Sequence, residues 1–173
     1  MLTRIFFIAI VCCFNGCQKK EVAVPVEYTG PLSEMENVNM LYSEKDRVRV
    51  KMTASKISEF KNGDKEFPEG LYLEFYNPEG IMTSTLKANH AYYFKEEDQW
   101  RGRGKVEVRN IEKNQQLNTE ELFWKETTRK IFTDKFVTIK LENELIYGTG
   151  LDATQDLSTY TIRKPEGIFE VKD

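Results

Sequence analysis

Between Gly104 and Gly150 the chain alternates apolar and polar residues in one short run after another. Val106 and Val108 stand against Glu107 and Arg109, and Val137, Ile139 and Leu141 against Thr138 and Lys140. Successive side chains of an extended strand point to opposite faces, so a period of two predicts strands with one face buried and the other wet. Leu117 to Trp124, Ile131 to Asp134 and Ile146 to Gly150 read the same way, with turn-forming residues between them at close spacing. Glu120 to Lys125 has helix-forming composition, but its place in the series predicts strand. A chain written like this folds as a ladder of strands.

The ladder repeats. A shift of 31 residues lays Leu86 on Leu117, Ala91 on Leu122, Tyr93 on Trp124, Trp100 on Ile131, Val106 on Val137 and Val108 on Ile139. A shift of 29 carries Leu117 and Leu122 onto Ile146 and Leu151, and one of 34 carries Met52, Ala54 and Ile57 onto Leu86, Ala88 and Ala91. Recurrence at this period marks an array in which each unit buries its apolar edge on the next.

Four elements of the ladder stand in a particular order: Gly-x-Val-x-Val-x-Asn at 104–110, Leu-x-Thr-x-x-Leu-x-Trp at 117–124, Ile-x-Thr-Asp at 131–134 and Ile-x-Gly-x-Gly-Leu-x-Ala at 146–153. Together they resemble the LptC family of the lipopolysaccharide transport bridge, over about residues 36–162. The sister bridge protein LptA and the amino-terminal domain of LptD share the same repeat. The resemblance implies an all-β fold: one elongated antiparallel sheet of repeated short strands, folded over as a β-jellyroll (a "β-taco") and open at both ends. It implies a periplasmic carrier that accepts lipopolysaccharide from an inner-membrane ABC transporter and passes its acyl chains along a hydrophobic groove to a bridge protein. The implied partners are the lipid A acyl chains, the periplasmic domains of LptF and LptG, and an LptA-like protein.

The residues can be laid onto that expectation. Alternation puts Leu73, Phe75, Leu86, Val106, Val108, Leu117, Trp124, Ile131, Val137 and Ile139 on one face, which the resemblance makes the groove lining. An open ladder leaves two unpaired edges, which the family uses for strand addition. The edges are expected near Met35–Tyr42, with Asn39 central, and near Thr159–Arg163, with Tyr160, Thr161 and Ile162. Whether the slot is open to lipid or filled by side chains stays open in the sequence. So does a scaffold of the same fold that links bridge components without carrying lipid, or a closed acyl-binding barrel.

The amino-terminal segment is a separate unit. Arg4 precedes an unbroken apolar run of ten residues, Ile5 to Phe14, then Asn15-Gly16-Cys17. A membrane-spanning helix needs about 20 apolar residues, so the run predicts a secretory leader at 1–16 of the lipoprotein type. Cys17 would then be the acylated first residue of a protein anchored to a membrane facing the periplasm. Phe14 and Asn15 depart from the commonest lipoprotein box, and a plain leader or an uncleaved anchor are the alternatives. Family members usually carry a transmembrane helix, so a lipid anchor is a departure from them. All three cysteines, Cys12, Cys13 and Cys17, lie here, so the expected mature body has no thiol and no disulfide. Residues 17–34, with Pro25, Gly30 and Pro31, read as a tether, 35–163 as the β domain and 164–173 as a tail. Asn62-Gly63-Asp64 and Asn77-Pro78-Glu79-Gly80 read as turns, Leu71–Tyr76 as a strand, and Pro165 as the end of the last strand.

Catalytic chemistry finds little to work with. The single histidine, His90, sits in a strand-like run beside two tyrosines and predicts a structural or surface role. Arg101-Gly102-Arg103-Gly104-Lys105 lacks the spacing of a phosphate loop and reads as a turn. Asp152 and Asp156 are two carboxylates without the rest of a calcium loop. The formal charge of −3, spread over mixed signs, leaves no basic stripe for nucleic acid. The expectation is a protein that is not an enzyme and needs no metal or cofactor.

Overall fold

The computed structural model describes residues 27–167. The expected leader at 1–16, Cys17, the start of the tether and the end of the tail lie outside them. The described residues form one antiparallel sheet of eleven strands. These are β1 (Ser33–Glu44), β2 (Arg47–Glu59), β3 (Lys65–Phe67), β4 (Leu71–Tyr76), β5 (Met82–Ala88), β6 (His90–Phe94), β7 (Gln99–Asn110), β8 (Gln115–Lys125), β9 (Lys130–Lys140), β10 (Leu145–Thr154) and β11 (Tyr160–Glu166). β1 pairs only with β2, and β11 only with β10. The sheet is therefore open at both ends, and no pairing of first strand with last closes it into a barrel.

A crease runs across the sheet at right angles to its strands. On β1 it falls at Asn37, which takes a positive φ of 52°, and on β7 at Gly104 and Lys105, at 71° and 48°. On β8 and β9 it is the register shift between Thr119 and Phe123, and on β10 it is Gly150, with φ 83°. The same line separates the successive strands β3 and β4 at Gly70, and β5 and β6 at Asn89, whose amide donates to the Gly104 carbonyl at 2.9 Å. Glycine, asparagine and short bulges accommodate this geometry, because a bulge bends its strand and an L side chain resists positive φ. Aligned on neighbouring strands, the bends fold the sheet over into two facing walls.

Each long strand contributes one half to each wall. β7 pairs with β5 through Glu107–Asn110 and with β6 through Gln99–Arg103. β2 pairs with β4 through Val50–Thr53 and with β3 through Ser58 and Glu59. We call the wall holding β4 and β5 the first wall, and the one holding β3 and β6 the second. They meet at the rims opposite the crease. There Phe75 of the first stands edge-on to Trp124 of the second, with centroids 5.6 Å apart and rings at 81°. Nearby, Asn110 Nδ2 donates to the Asp156 carbonyl at 2.6 Å.

The crease corrects several readings. Arg101–Lys105 is not a turn between strands but the middle of β7, carrying its bulge. Ile131–Asp134 and Val137–Leu141 are not separate runs: β9 carries both up to Lys140, bulged between them. β10 continues past Leu151 to Thr154, and β11 runs through Pro165, which faces Gly148. A proline fits there because β11 is an edge strand, where a missing donor breaks no second ladder. The turns at Gly63 and Gly80, the strand Leu71–Tyr76 and the strand at Glu120–Lys125 stand as expected. The repeat has a plain meaning: 31 residues is two bent strands, carrying β5 and β6 onto β8, and β7 onto β9.

Candidate functional site: the inner face and the two edges

All ten residues expected on the groove face point between the walls and are buried. Register shows how they are organised. Leu73 lies opposite Leu86, Leu86 opposite Val108, Val108 opposite Leu117, Leu117 opposite Ile139, and Ile139 opposite Ile146. In the other direction Leu73 faces Met52, and Met52 faces Met40. Directly opposed residues share a face. The first wall therefore carries one unbroken apolar row across eight strands, roughly 34 Å long at the usual strand separation. The second wall carries a shorter, aromatic row: Tyr93, Trp100, Trp124, Ile131, Ala153 and Tyr160.

The row changes character along its length. From Leu73 to Ile139 it is buried, and the space between the walls is filled by side chains. The cavity beside Leu71, Leu86, Trp100 and Trp124 measures only about 10 Å³. Towards β1 the walls part. Met40 and Tyr42 share the inner face with Met52 and Val50, yet are 44% and 57% exposed, and Met35, opposite Ile57, is 37% exposed. Val38, Val50 and Met52 are half-buried behind them. The sequence reading missed this mouth, although the shift of 34 residues laid Met52 on Leu86 and so marked its face.

The β1 edge is tied to β2 mainly by its backbone. Lys56 lies 2.8 Å from Glu34, and its hydrogen bond, with a second from Ser58 Oγ, holds the Glu34 carboxyl below the usual range. Asn39 is on the outer face, where Thr53 Oγ1 donates to its Oδ1 at 3.2 Å. The β11 edge is built differently. Tyr160 and Ile162 turn inward and are half-buried, while Thr161 faces out. Arg163 crosses Gly150 to reach β9: it donates to the Thr133 carbonyl and pairs with Asp134 at 2.7 Å and Asp152 at 3.4 Å. A Cβ on Gly150 would lie 2.7 Å from Arg163 Nε, so this glycine supplies both a bend and room for the clasp. A Cβ on Gly148 would run into the backbone of Lys164 and Pro165. The two glycines of Ile-x-Gly-x-Gly are thus a saddle on which β11 sits.

Of the remaining chemical candidates, Asp152 and Asp156 have structural partners. His90 is exposed at the start of β6, opposite Arg103. Asp152 is engaged by Arg163, and Asp156 Oδ1 accepts from the Ser158 amide at 3.0 Å. Burial pushes the Asp156 carboxyl up, but hydrogen bonds from Thr154 and Ser158 outweigh it and hold the group below its ordinary value. On the outside of the second wall Arg101 grips Glu121 through Nε and Nη2, at 2.8 and 2.6 Å, with its guanidinium 5.8 Å from the Phe123 ring. Phe123 in turn stacks on Phe132, with centroids 5.3 Å apart. Among the described residues no cluster of three or more His, Cys, Asp or Glu has metal-binding geometry.

No curated protein matches the chain. A family model described as "Lipopolysaccharide-assembly, LptC-related" matches residues 4–164, nearly the whole chain. The folded-over open sheet, its apolar inner row and the four ordered elements carried by β7 to β10 agree with that match, and the chain belongs to the LptC family, whose part is in lipopolysaccharide transport.

Proposed function

We propose that this chain is the carrier that takes lipopolysaccharide from an inner-membrane ABC transporter and passes its acyl chains to a periplasmic bridge protein. The observation that supports this reading is the apolar row that leaves the packed interior and emerges, uncovered, at Met40 on an unpaired edge. An apolar face ending on a free edge is costly unless something continues it, since the strand invites pairing and its side chains invite burial. A partner strand added to β1 satisfies both, extending the ladder and the groove together. β1 is then the edge for the periplasmic domains of LptF and LptG, and β11 the edge for an LptA-like protein. Burying one methylene is worth about 0.8 kcal/mol, so even part of several acyl chains is held without a charged grip. In this reading the protein hydrolyses nothing, and acylated Cys17 holds it at the membrane.

Photo-crosslinkers along the inner row test the proposal in membranes that make lipopolysaccharide. Positions Met40, Val106, Leu117 and Ile139 should capture lipid in an ATP-dependent way, while the outward Glu107 and Lys140 should not. The filled interior favours a second reading, a scaffold that joins its neighbours by strand addition and carries no lipid. That reading wins if neither set captures lipid while both edges still bind their partners.

A further inference from the structure

Among the twenty buried apolar residues of the described chain, Leu157 alone is not carried on a strand. It belongs to the turn between β10 and β11, is 1% exposed, and is packed into the same core as Leu117, Val137 and Leu151. Its backbone has a positive φ of 56°, uncommon for a leucine. The turn is held at the second wall's rim by two further contacts. The Gln155 amide donates to the Arg129 carbonyl at 2.9 Å, and Trp124 Nε1 donates to Gln155 Oε1 at 2.9 Å. Across the slot its link is the hydrogen bond from Asn110 to the Asp156 carbonyl. A buried side chain on a strand leaves only if the sheet deforms, whereas one on a turn can swing out by rotating a few backbone angles.

We propose that residues 155–159 form a displaceable plug, in which Leu157 occupies the slot that an acyl chain takes and the Asn110–Asp156 hydrogen bond is the latch. The inference rests on the carrier reading and adds how a filled interior admits lipid. Space comes from releasing one turn at the rim, not from repacking the strands. Of the contacts that cross the slot at the rims, the Phe75–Trp124 pair joins two strands, whereas the Asn110–Asp156 hydrogen bond ties the first wall to the turn itself.

Asn110→Asp isolates the latch. The new carboxylate still accepts from the Lys113 amide, as Asn110 Oδ1 does at 2.8 Å, but no longer donates to Asp156. The probe is dodecanoate carrying a diazirine, added to the full-length protein in amphipol. Crosslinks to the inner peptides of β8 and β9 should form at about tenfold lower probe concentration in Asn110→Asp than in the wild type, the worth of one buried hydrogen bond and the repulsion that replaces it. In the unmodified protein, amide exchange at Leu157 and Ser158 should quicken on adding probe, a measurement that needs no variant to fold. Leu157→Gly should bind at least as tightly as Asn110→Asp. The plug is overturned if the probe binds without quickening those amides, or if Leu157→Gly binds it and Asn110→Asp does not gain. It is equally overturned if no form binds the probe. Capture of lipopolysaccharide at Val106 in membranes judges the carrier reading separately, since it can succeed with the turn immobile or fail with the turn mobile.

Discussion

Gly148→Ala should evict the carboxy-terminal edge strand while leaving the rest of the sheet standing. Gly148 does not have a positive φ, so alanine adds no backbone strain to β10. Its methyl group, however, would lie 2.7 Å from Ile162 Cγ2 and 2.8 Å from Pro165 Cα, and nearer still to the Lys164 carbonyl oxygen. Two of those three atoms are backbone, which cannot rotate away, so β11 itself must move. Overpacking of this kind costs about 1–3 kcal/mol. Against it stand six register pairs between β10 and β11 and the half-burial of Tyr160 and Ile162. A net contribution of about 1 kcal/mol per hydrogen bond makes the two sides comparable. The strand should therefore unzip from its Lys164–Glu166 end rather than take the whole domain with it. Thermal unfolding should fall by roughly 2–12 °C, and amides of 160–166 should lose protection while those of β7 and β8 keep theirs. Capture of the bridge partner should fail in the same variant. Gly80→Ala is the control: its Cβ meets nothing within 4 Å, and only the positive φ of 81° opposes it. Unchanged protection of β11 in Gly148→Ala would refute the close seating of that strand, and with it the role assigned to the glycine saddle.

Arg163→Ala removes a charge shared by Asp134 and Asp152 and a donor to Thr133, and Arg163→Lys should not restore it, because an ammonium cannot fork across three acceptors. Both should raise exchange in β11, and the difference from wild type should shrink at high salt if the clasp is electrostatic. Of prolines placed at Tyr160 and at Thr161, the one that removes an outward amide should abolish capture of the bridge protein, and proline near Asn39 should weaken the transporter contact instead, each read by pull-down; loss of both contacts from either change would mean global unfolding. Cys17→Ser should stop incorporation of labelled fatty acid and release the protein from the membrane, whereas a wild-type chain that takes up no label would end the lipoprotein reading. The Asp156 carboxyl is held below its ordinary value, so its contribution to the 155–159 turn is complete above the ordinary carboxylate range and is lost as pH falls through the lowered folded value. Exchange of the Leu157 amide should rise there, and Asp156→Asn should remove the dependence.

Residue types and their period carried much of this protein in the open. Alternation in Val106–Val108, Leu117 and Val137–Ile139 named the inward side of three strands, because a side chain's face depends only on its own backbone. The repeat of 31 residues likewise announced similar units, and alternation placed the ten residues that prove to be buried on the inner face. What period two cannot express is its own interruption. At Gly104, Asp134–Phe136 and Gly150 a bulge shifts the phase, so a continuous strand reads as shorter fragments. Each interruption is ambiguous alone. Only when the strands lie side by side do they line up as a crease, and the crease makes the second wall face the first.

The same division holds at the ends of the groove. Met35, Met40 and Tyr42 are ordinary strand residues in the sequence, and nothing local distinguishes them from the buried Leu73 or Leu86. Their exposure arises because β1 has a neighbour on one side only, a property of its place in the sheet. Leu157 is the converse case: nothing in a polar turn of aspartate, serine and threonine marks its leucine as core, and its burial comes from packing into the core across a turn that Asn110 holds through Asp156, 46 residues away. Composition and periodicity thus determined that the chain is a ladder of half-buried strands and which face of each is apolar. The tertiary arrangement decided where that face is sealed, where it opens and what plugs it, because burial is set by what lies across the gap, and no residue carries that information by itself.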